Sequence, residues 1–448
     1  MSKMWIAQKV VQLEGTITAP PSKSYTHRAL VISALCPETS SIKNPLICYD
    51  TIRTIEGCRI LGSWIEDTDP NELTITGFQH WRDAGEKNID IGESGTTGRF
   101  LISLASLVHG TTILRGALFN RKRPFTSLIE ALKKLGVEVD QSNEMADGFI
   151  KVKGKKNGEG YKNYTELIAN GGSSYLKSSQ YISSLLVTCP NYPNDIDLQV
   201  KATKIVSKPY IDVTLDLLNQ VGAKIDKNKD YSKYHIQSNK LFRPNDYIIH
   251  GDYTQSAVFL ALGALTDSNI TIKDLIKSNK DKQGDKAFID NLKKMGADID
   301  QKEKEVKIKG PSELDNIEID CIDTPDLVPI YAILGAFGKG TMELKDISHL
   351  QYKESNRGVV LQEELEKAGI DIKLGIDKNR LIIKHCDKIR ESILNDNNDH
   401  RMGMAFTILA LLTGKVKVNT SDDTIAKSYP KGRFLKDLCS VGAIIREK

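Results

Sequence analysis

The chain has no CxxC pair: its seven cysteines stand alone at positions 36, 48, 58, 189, 321, 386 and 439. That excludes a zinc ribbon and a thioredoxin-like redox site, and scattered thiols in odd number fit a reducing compartment. Long apolar runs are missing as well. No stretch of about 18 apolar residues occurs, so a membrane-spanning helix is excluded. Residues Met1 to Val10 carry neither an apolar signal core nor an Arg/Ser-rich transit pattern, and a cytoplasmic protein is expected. Charge of one sign is scarce. Lysine and arginine total 62 against 58 acidic residues, a net charge of +4, and the lysines are spread along the chain. A nucleic-acid binder would gather them on one face, interleaved with stacking aromatics. The eight histidines form no metal-ligand cluster along the sequence. The expectation is therefore no nucleic acid, no membrane, no metal and no organic cofactor, with a mild basic excess that draws small anions into a cleft.

What is present is repetition. At 448 residues the chain is too long for one core and suits two domains of about 200 residues each. Six times a helix-like run ends in an apolar residue, then Gly, then an alternating stretch. Examples are Leu61-Gly62-Ser63-Trp64-Ile65, Leu135-Gly136-Val137-Glu138-Val139 and Ala368-Gly369-Ile370-Asp371-Ile372. The other glycines are Gly222, Gly296 and Gly442. Gly after a helix end suits a position that needs positive φ. The alternation that follows has period two and predicts a strand with one buried face. Further strands are predicted at 111–114, 270–272, 341–344 and 416–418, and further helices at 97–108, 178–187, 254–265, 327–337 and 401–412. Three units precede about residue 240 and three follow, with the polar stretch Ser238 to Asp246 as the expected boundary. Two similar lobes leave a cleft between them, a favoured ligand site. If rotation relates the units, helix N-termini preceded by Arg123-Pro124, Ser207-Lys208, Lys353-Glu354 and Lys427-Ser428 point one way. They then make a trap for phosphate or carboxylate groups.

Several stretches carry chemistry, and each has an ordinary structural explanation. Ser22-Lys23-Ser24-Tyr25-Thr26-His27-Arg28 opens an apolar helix; Ser22 or Ser24 as N-cap explains the serines but not two cations where the dipole favours acids. Gly92-Glu93-Ser94-Gly95-Thr96-Thr97-Gly98-Arg99 is a Gly-rich turn before a helix, without the Lys-Ser/Thr of a nucleotide loop. Lys353-Glu354-Ser355-Asn356-Arg357 offers an exposed Glu354–Arg357 pair worth about 0.2–0.5 kcal/mol. Asp399-His400-Arg401-Met402 offers Asp399 as N-cap with Arg401 free. Ser207-Lys208-Pro209-Tyr210, Asp323-Thr324-Pro325-Asp326 and Lys427-Ser428-Tyr429-Pro430 read as turns held by proline.

Taken in order along residues 15 to 440, these motifs, together with Arg123-Pro124 and Ser178-Ser179-Gln180-Tyr181, closely resemble the EPSP synthases, the enolpyruvyl transferases of the shikimate pathway. The resemblance implies an α/β, two-lobed enolpyruvyl transferase-like fold of six βαβαββ units, three per lobe. Lobe one takes residues 1–20 plus 248–448 and the phosphoenolpyruvate-side catalytic residues. Lobe two, 21–247, binds shikimate 3-phosphate. It implies transfer of the enolpyruvyl group to the 5-hydroxyl of that substrate, with no cofactor, in a protein expected to be a monomer.

By the same resemblance Lys23, Ser24 and Arg28 meet the shikimate phosphate, and Lys23 also reaches phosphoenolpyruvate. Ser178, Ser179, Gln180, Ser207 and Tyr210 complete that pocket. Asp326 and Lys353 hold ring hydroxyls. Gly95, Arg123, Arg357, Arg401 and Lys427 match the phosphoenolpyruvate site. Addition followed by elimination needs carboxyl groups beside the reacting carbons. Glu354 is assigned the proton at C3 and Asp326 the attacking hydroxyl, while Lys23 and Lys427 neutralise the departing phosphate. Glu93-Ser94, Phe100, Asn356 and His349 depart from the usual residues, and no role is carried over for His349.

The nearest rival is UDP-N-acetylglucosamine enolpyruvyl transferase, which usually carries a Cys just before the Arg-Pro motif; Leu114 to Arg123 contains none. A non-catalytic anion-binding protein on the same lobes would be expected to lose the carboxylates first, and Asp326 and Glu354 are both present.

Overall fold

A computed structural model describes residues 3–78, 85–120, 124–142, 148–155, 160–169, 175–238 and 241–448. Arg123 lies outside the described residues. The chain forms two compact units, Met1–Pro21 with His250–Lys448 and Ser22–Ile249. We call these the discontinuous and the continuous unit.

The continuous unit carries helices α1 (Lys23–Ser33), α2 (Tyr49–Leu61), α3 (Gly95–Ala105), α4 (Thr126–Lys134), α5 (Gln180–Thr188) and α6 (Lys208–Gln220). The discontinuous unit carries α7 (Tyr253–Leu265), α8 (Ala287–Met295), α9 (Val328–Phe337), α10 (Arg357–Lys367), α11 (His400–Thr413), α12 (Asp422–Ile425) and α13 (Arg433–Ser440). Each unit also contains four-stranded sheets of one recurring pattern. In Glu86–Asp90, Gly110–Arg115, Phe149–Gly154, Glu138–Ser142, the first pair is parallel and the next two are antiparallel. Among the described residues the other five four-stranded sheets repeat that order of pairings.

Three sheets are completed by distant chain. Asp246–Ile248 returns to pair with Thr39–Lys43, while Met4–Ala7 lies between Val416–Asn419 and Ile445–Glu447. The strand Gln12–Thr18 likewise lies along Asp267–Lys273, so the segment before Pro21 belongs to the discontinuous unit.

The six repeat glycines follow α2, α4, α6, α8, α10 and α13, with φ between 85° and 112°. After each, the next N–H bonds back to a carbonyl five residues earlier, as Val137 does to Leu132 and Ile370 to Leu365. That is the Schellman closure, which satisfies carbonyls the helix end would otherwise leave unpaired. The residue after each glycine is buried, so the closure also turns the chain into the strand with its apolar face inward.

The remaining long helices lie inside. In the discontinuous unit α7, α9 and α11 pack on one another and are buried almost all round, without a charged side chain beyond their first turns. A helix apolar on every side belongs in a core. In the continuous unit α3 packs on α1, α2 and α5. Polar motif residues cluster in the first turns of these helices or in the loops just before them, where backbone N–H groups are unpaired within the helix. Among the described residues no helix is long and apolar enough to cross a membrane.

Candidate active site

In the continuous unit the first group sits at the start of α1. Ser22 occupies the N-cap, but its hydroxyl makes no capping bond. Lys23 follows in the first turn and lies 3.1 Å from Asp50, which opens α2; both side chains are largely buried. Two cations at a helix start oppose its dipole, and Asp50 offsets one of them. Arg28 faces inward and is 1% exposed. Its Nε donates to Thr214 at 2.7 Å, Nη1 to the Ser24 carbonyl at 3.0 Å and Nη2 to Ser183 at 3.4 Å. The rings of Phe100 and Tyr210 lie 5.5 and 5.9 Å away. No carboxylate is among these partners, and burial pushes the guanidinium down to about 10. A desolvated cation without an acid is costly unless it serves an incoming anion.

The Gly-rich loop leads into α3, capped by Ser94, whose hydroxyl accepts from the Thr97 N–H at 3.2 Å. Gly95 is the first helical residue. Thr96 accepts from Gln180 Nε2 at 2.8 Å, and Gln180 Oε1 accepts from Arg99 Nη1 at 2.5 Å. Ser178 accepts from the Gln180 N–H at 3.2 Å, and the buried Ser179 occupies the N-cap of α5. Ser207 caps α6 from left-handed backbone, φ 55° and ψ 45°, with Pro209 just inside the helix. A non-glycine residue held there stores about 1–3 kcal/mol of strain, a mark of functional positions.

In the discontinuous unit the charges converge on Asp326, in the turn before α9. Arg357 Nη1 is 2.8 Å from its Oδ1, Lys353 Nζ 3.3 Å from the same oxygen, and Arg401 Nη2 3.6 Å from Oδ2. Burial pushes the Asp326 carboxyl up, but Lys353, Arg357 and Arg401 outweigh it and hold it well below the usual carboxylate range. About 28% of the Asp326 side chain remains exposed, against 3% for Arg357. Asp399 is fully buried and caps α11 through the Arg401 N–H at 3.0 Å. It also receives the Arg357 fork, Nε at 2.8 Å and Nη2 at 3.1 Å, and the Ser355 hydroxyl at 3.1 Å. Burial pushes Asp399 up and Arg357 pulls it down; the net shift is downward. Glu354 Oε2 lies 2.9 Å from His400 Nδ1. Lys427 donates to both the backbone and side-chain oxygens of Asn398, at 2.7 and 2.8 Å. Asn397 and Asn398 both take positive φ, which Asn tolerates well.

These contacts correct two ordinary explanations. Glu354 and Arg357 are not an exposed helix pair, because α10 starts at Arg357 and leaves Glu354 outside helical register. Arg401 is not free: it is 5% exposed and faces Asp326. Asp50, Arg99, Asp399 and His400 join the two groups although the sequence reading assigned them no site role. The available signal was their place inside the motifs.

Glu354, Asp399 and His400 also bring one ligand atom each within 4.8 Å of one another, a grouping not visible along the sequence. Both Asp399 oxygens already serve Arg357, and that guanidinium repels a divalent ion. The triplet suits proton handling better than metal.

The sequence matches the family description "EPSP synthase (3-phosphoshikimate 1-carboxyvinyltransferase)" over residues 7–437. It is 39% identical over 445 residues to the 3-phosphoshikimate 1-carboxyvinyltransferase of Methanocaldococcus jannaschii, covering 99% of each chain. It is 37% identical to that of Methanococcus maripaludis, again over 99% of each. Among solved structures, an EPSP synthase from Acinetobacter baumannii superposes with a TM-score of 0.79 at 21% identity over the whole of both chains. That likeness gives the two-lobed enolpyruvyl transferase fold.

Proposed function

The chain belongs to the EPSP synthase family, and we propose that it transfers the enolpyruvyl group of phosphoenolpyruvate to the 5-hydroxyl of shikimate 3-phosphate, releasing phosphate on the route to chorismate. UDP-N-acetylglucosamine as acceptor is not favoured. The observation that carries the assignment of the chemistry is the convergence of Lys353, Arg357 and Arg401 on Asp326, all within 3.6 Å. Asp326 and Asp399 answer these three cations, and the guanidinium forks of Arg357 and Arg401 suit a ligand with its own carboxylate and phosphate.

Lys23, Ser24 and Arg28, with Ser178, Ser179, Gln180, Ser207 and Tyr210, take shikimate 3-phosphate. Gly95, Arg123, Arg357, Arg401 and Lys427 take phosphoenolpyruvate, with Lys23 shared. Asp326 and Lys353 hold the ring hydroxyls. The hydroxyl adds to C2 as a proton arrives at C3; the methyl so formed then gives a proton back while the C2–phosphate bond breaks. Glu354 handles the C3 proton, and His400 beside its Oε2 supports it. Asp326 accepts the hydroxyl proton. A carboxylate held so far below its usual range is a weak base. It gains strength as Arg357 and Arg401 turn to the phosphoenolpyruvate anion. Lys23 and Lys427 neutralise the leaving phosphate.

The reading carries with it a cytoplasmic monomer acting on small molecules. The test is phosphate release from phosphoenolpyruvate with shikimate 3-phosphate, and UDP-N-acetylglucosamine as control acceptor. Release with the control alone would overturn the assignment.

A further inference from the structure

Four buried polar side chains in the continuous unit have no part in the reaction just described. His27, Thr54, Thr97 and Ser94 are each between 0 and 2% exposed. They form a chain of short contacts: His27 Nδ1 to Thr54 Oγ1 at 2.8 Å, Thr54 to Thr97 Oγ1 at 2.7 Å, and Thr97 to Ser94 Oγ at 2.7 Å. Thr97 Oγ1 also lies 3.0 Å from the Asp50 carbonyl oxygen.

The directions of these bonds follow from counting protons. A carbonyl only accepts, and Thr97 is the donor toward both the Asp50 carbonyl and Ser94 Oγ, which share its single hydroxyl proton. Thr97 therefore accepts from Thr54. Thr54 has spent its proton, so His27 must donate from Nδ1. His27 Nε2 has no hydrogen-bond partner. Burial first, then Lys23 and Arg28, hold the ring well below its ordinary pKa, in agreement with a neutral tautomer.

The chain spans three helix starts. His27 lies one turn beyond Lys23 on α1. Asp50, whose side chain meets Lys23, opens α2, and Thr54 lies one turn further along it. Thr97 lies in the first turn of α3, two residues after Gly95. Its neighbour Thr96 is gripped by Gln180, so adjacent threonines anchor this turn from two sides.

We infer that His27, Thr54, Thr97 and Ser94 form a positioning relay that fixes the Gly-rich loop around Gly95 relative to Lys23 and so sets the grip on phosphoenolpyruvate. The inference rests on the functional reading above. None of the four residues touches the reacting atoms. They act through the backbone of the loop and through Asp50. Loss of one hydroxyl frees the first turn of α3 without removing any ligand-binding group.

The experiment is steady-state kinetics on wild type, Thr97→Val, Thr54→Val and Thr97→Ser. Thr97→Val keeps the shape of the side chain and loses its hydroxyl; its KM for phosphoenolpyruvate should rise about three- to tenfold, the weight of one or two buried hydrogen bonds, with kcat within about twofold. Thr97→Ser restores the hydroxyl and should return KM to near the wild-type value. Thr54→Val should shift KM in the same direction, and the double valine variant should fall short of the combined single effects, because both cut one chain. A wild-type KM in both valine variants, or Thr97→Ser as impaired as Thr97→Val, would overturn the relay. If Thr97→Val does not fold, Thr54→Val decides alone: a raised KM supports the relay and an unchanged one removes it. An inactive wild type would instead overturn the functional reading, so the two failures are distinguishable.

Discussion

Arg357 holds Asp399 with two arms of its guanidinium, Nε at 2.8 Å from one carboxylate oxygen and Nη2 at 3.1 Å from the other, while its third nitrogen reaches Asp326 at 2.8 Å. Burial lowers the proton affinity of Arg357, but Asp399 and Asp326 more than reverse that effect. One planar cation thus ties the cap of α11 to the carboxylate before α9.

Lysine cannot reproduce that fork. Arg357→Lys is expected to lower unfolding free energy by about 2–3 kcal/mol, and Arg357→Ala by about 3–5 kcal/mol, since Asp399 is then left buried and unpaired. Urea unfolding measures both. Wild-type stability in the alanine variant would show that the fork holds nothing together.

Glu354→Gln keeps size and hydrogen-bonding capacity and removes the titratable carboxylate. Turnover should fall by about 10²- to 10⁴-fold, the usual weight of a positioned acid–base group. Calorimetry should find shikimate 3-phosphate binding within a few-fold of wild type. Near-normal turnover would take Glu354 out of the mechanism.

Arg28 predicts an unusual trade. It is buried with hydroxyls, a carbonyl and two rings as partners, and no acid is among them. Arg28→Met should leave the unliganded protein as stable as wild type or more so, because a desolvated cation is removed. The same variant should lose the stabilisation that shikimate 3-phosphate gives at about 100 times Kd, roughly 2.7 kcal/mol. Thermal melts with and without ligand test both halves. A marked loss of stability with the ligand shift intact would contradict the assignment.

Acid should destabilise the fold through its buried histidines. Burial, helped by Lys353 and opposed by Asp326, pushes His349 down to about 3, and neither ring nitrogen has a hydrogen-bond partner. His27 is shifted the same way. Below about pH 6.5 the unfolded chain binds protons that the folded chain refuses, so stability falls as pH drops from about 6.5 toward the folded value. Between pH 7.5 and 5.5 the loss is about 1.4 kcal/mol for each histidine. His349→Gln should remove one such share. Parallel stability–pH curves for variant and wild type would refute it.

Much of the architecture was legible because the recurring glycines mark a backbone need that chemistry alone enforces. Each closes a helix with positive φ and turns the chain into a strand, so one letter in six places reports six units. The parallel edge strand Asp246–Ile248 was hidden in a polar stretch, since its partner Ser41 lies far away in sequence and three residues show no period.

The charged motifs were legible through resemblance, but their wiring was not. Asp399 looks the same in one-letter code whether it caps a helix or also receives an arginine fork; here it does both. Glu354 and Arg357 have the spacing of a helical pair, and only the start of α10 at Arg357 shows that they turn to different partners.

The placement of Met4–Ala7 between two strands from the far end of the chain has a consequence for biosynthesis. Trp5 Nε1 donates to Glu447, 442 residues away, and Met4 and Lys448 exchange backbone hydrogen bonds. On the ribosome, residues 22–249 emerge as one uninterrupted stretch and can close on themselves early. The strand Met4–Ala7 must wait for residues 416–447 to be made before its sheet is whole. A chain truncated near residue 440 would then carry one finished half and one with an open seam.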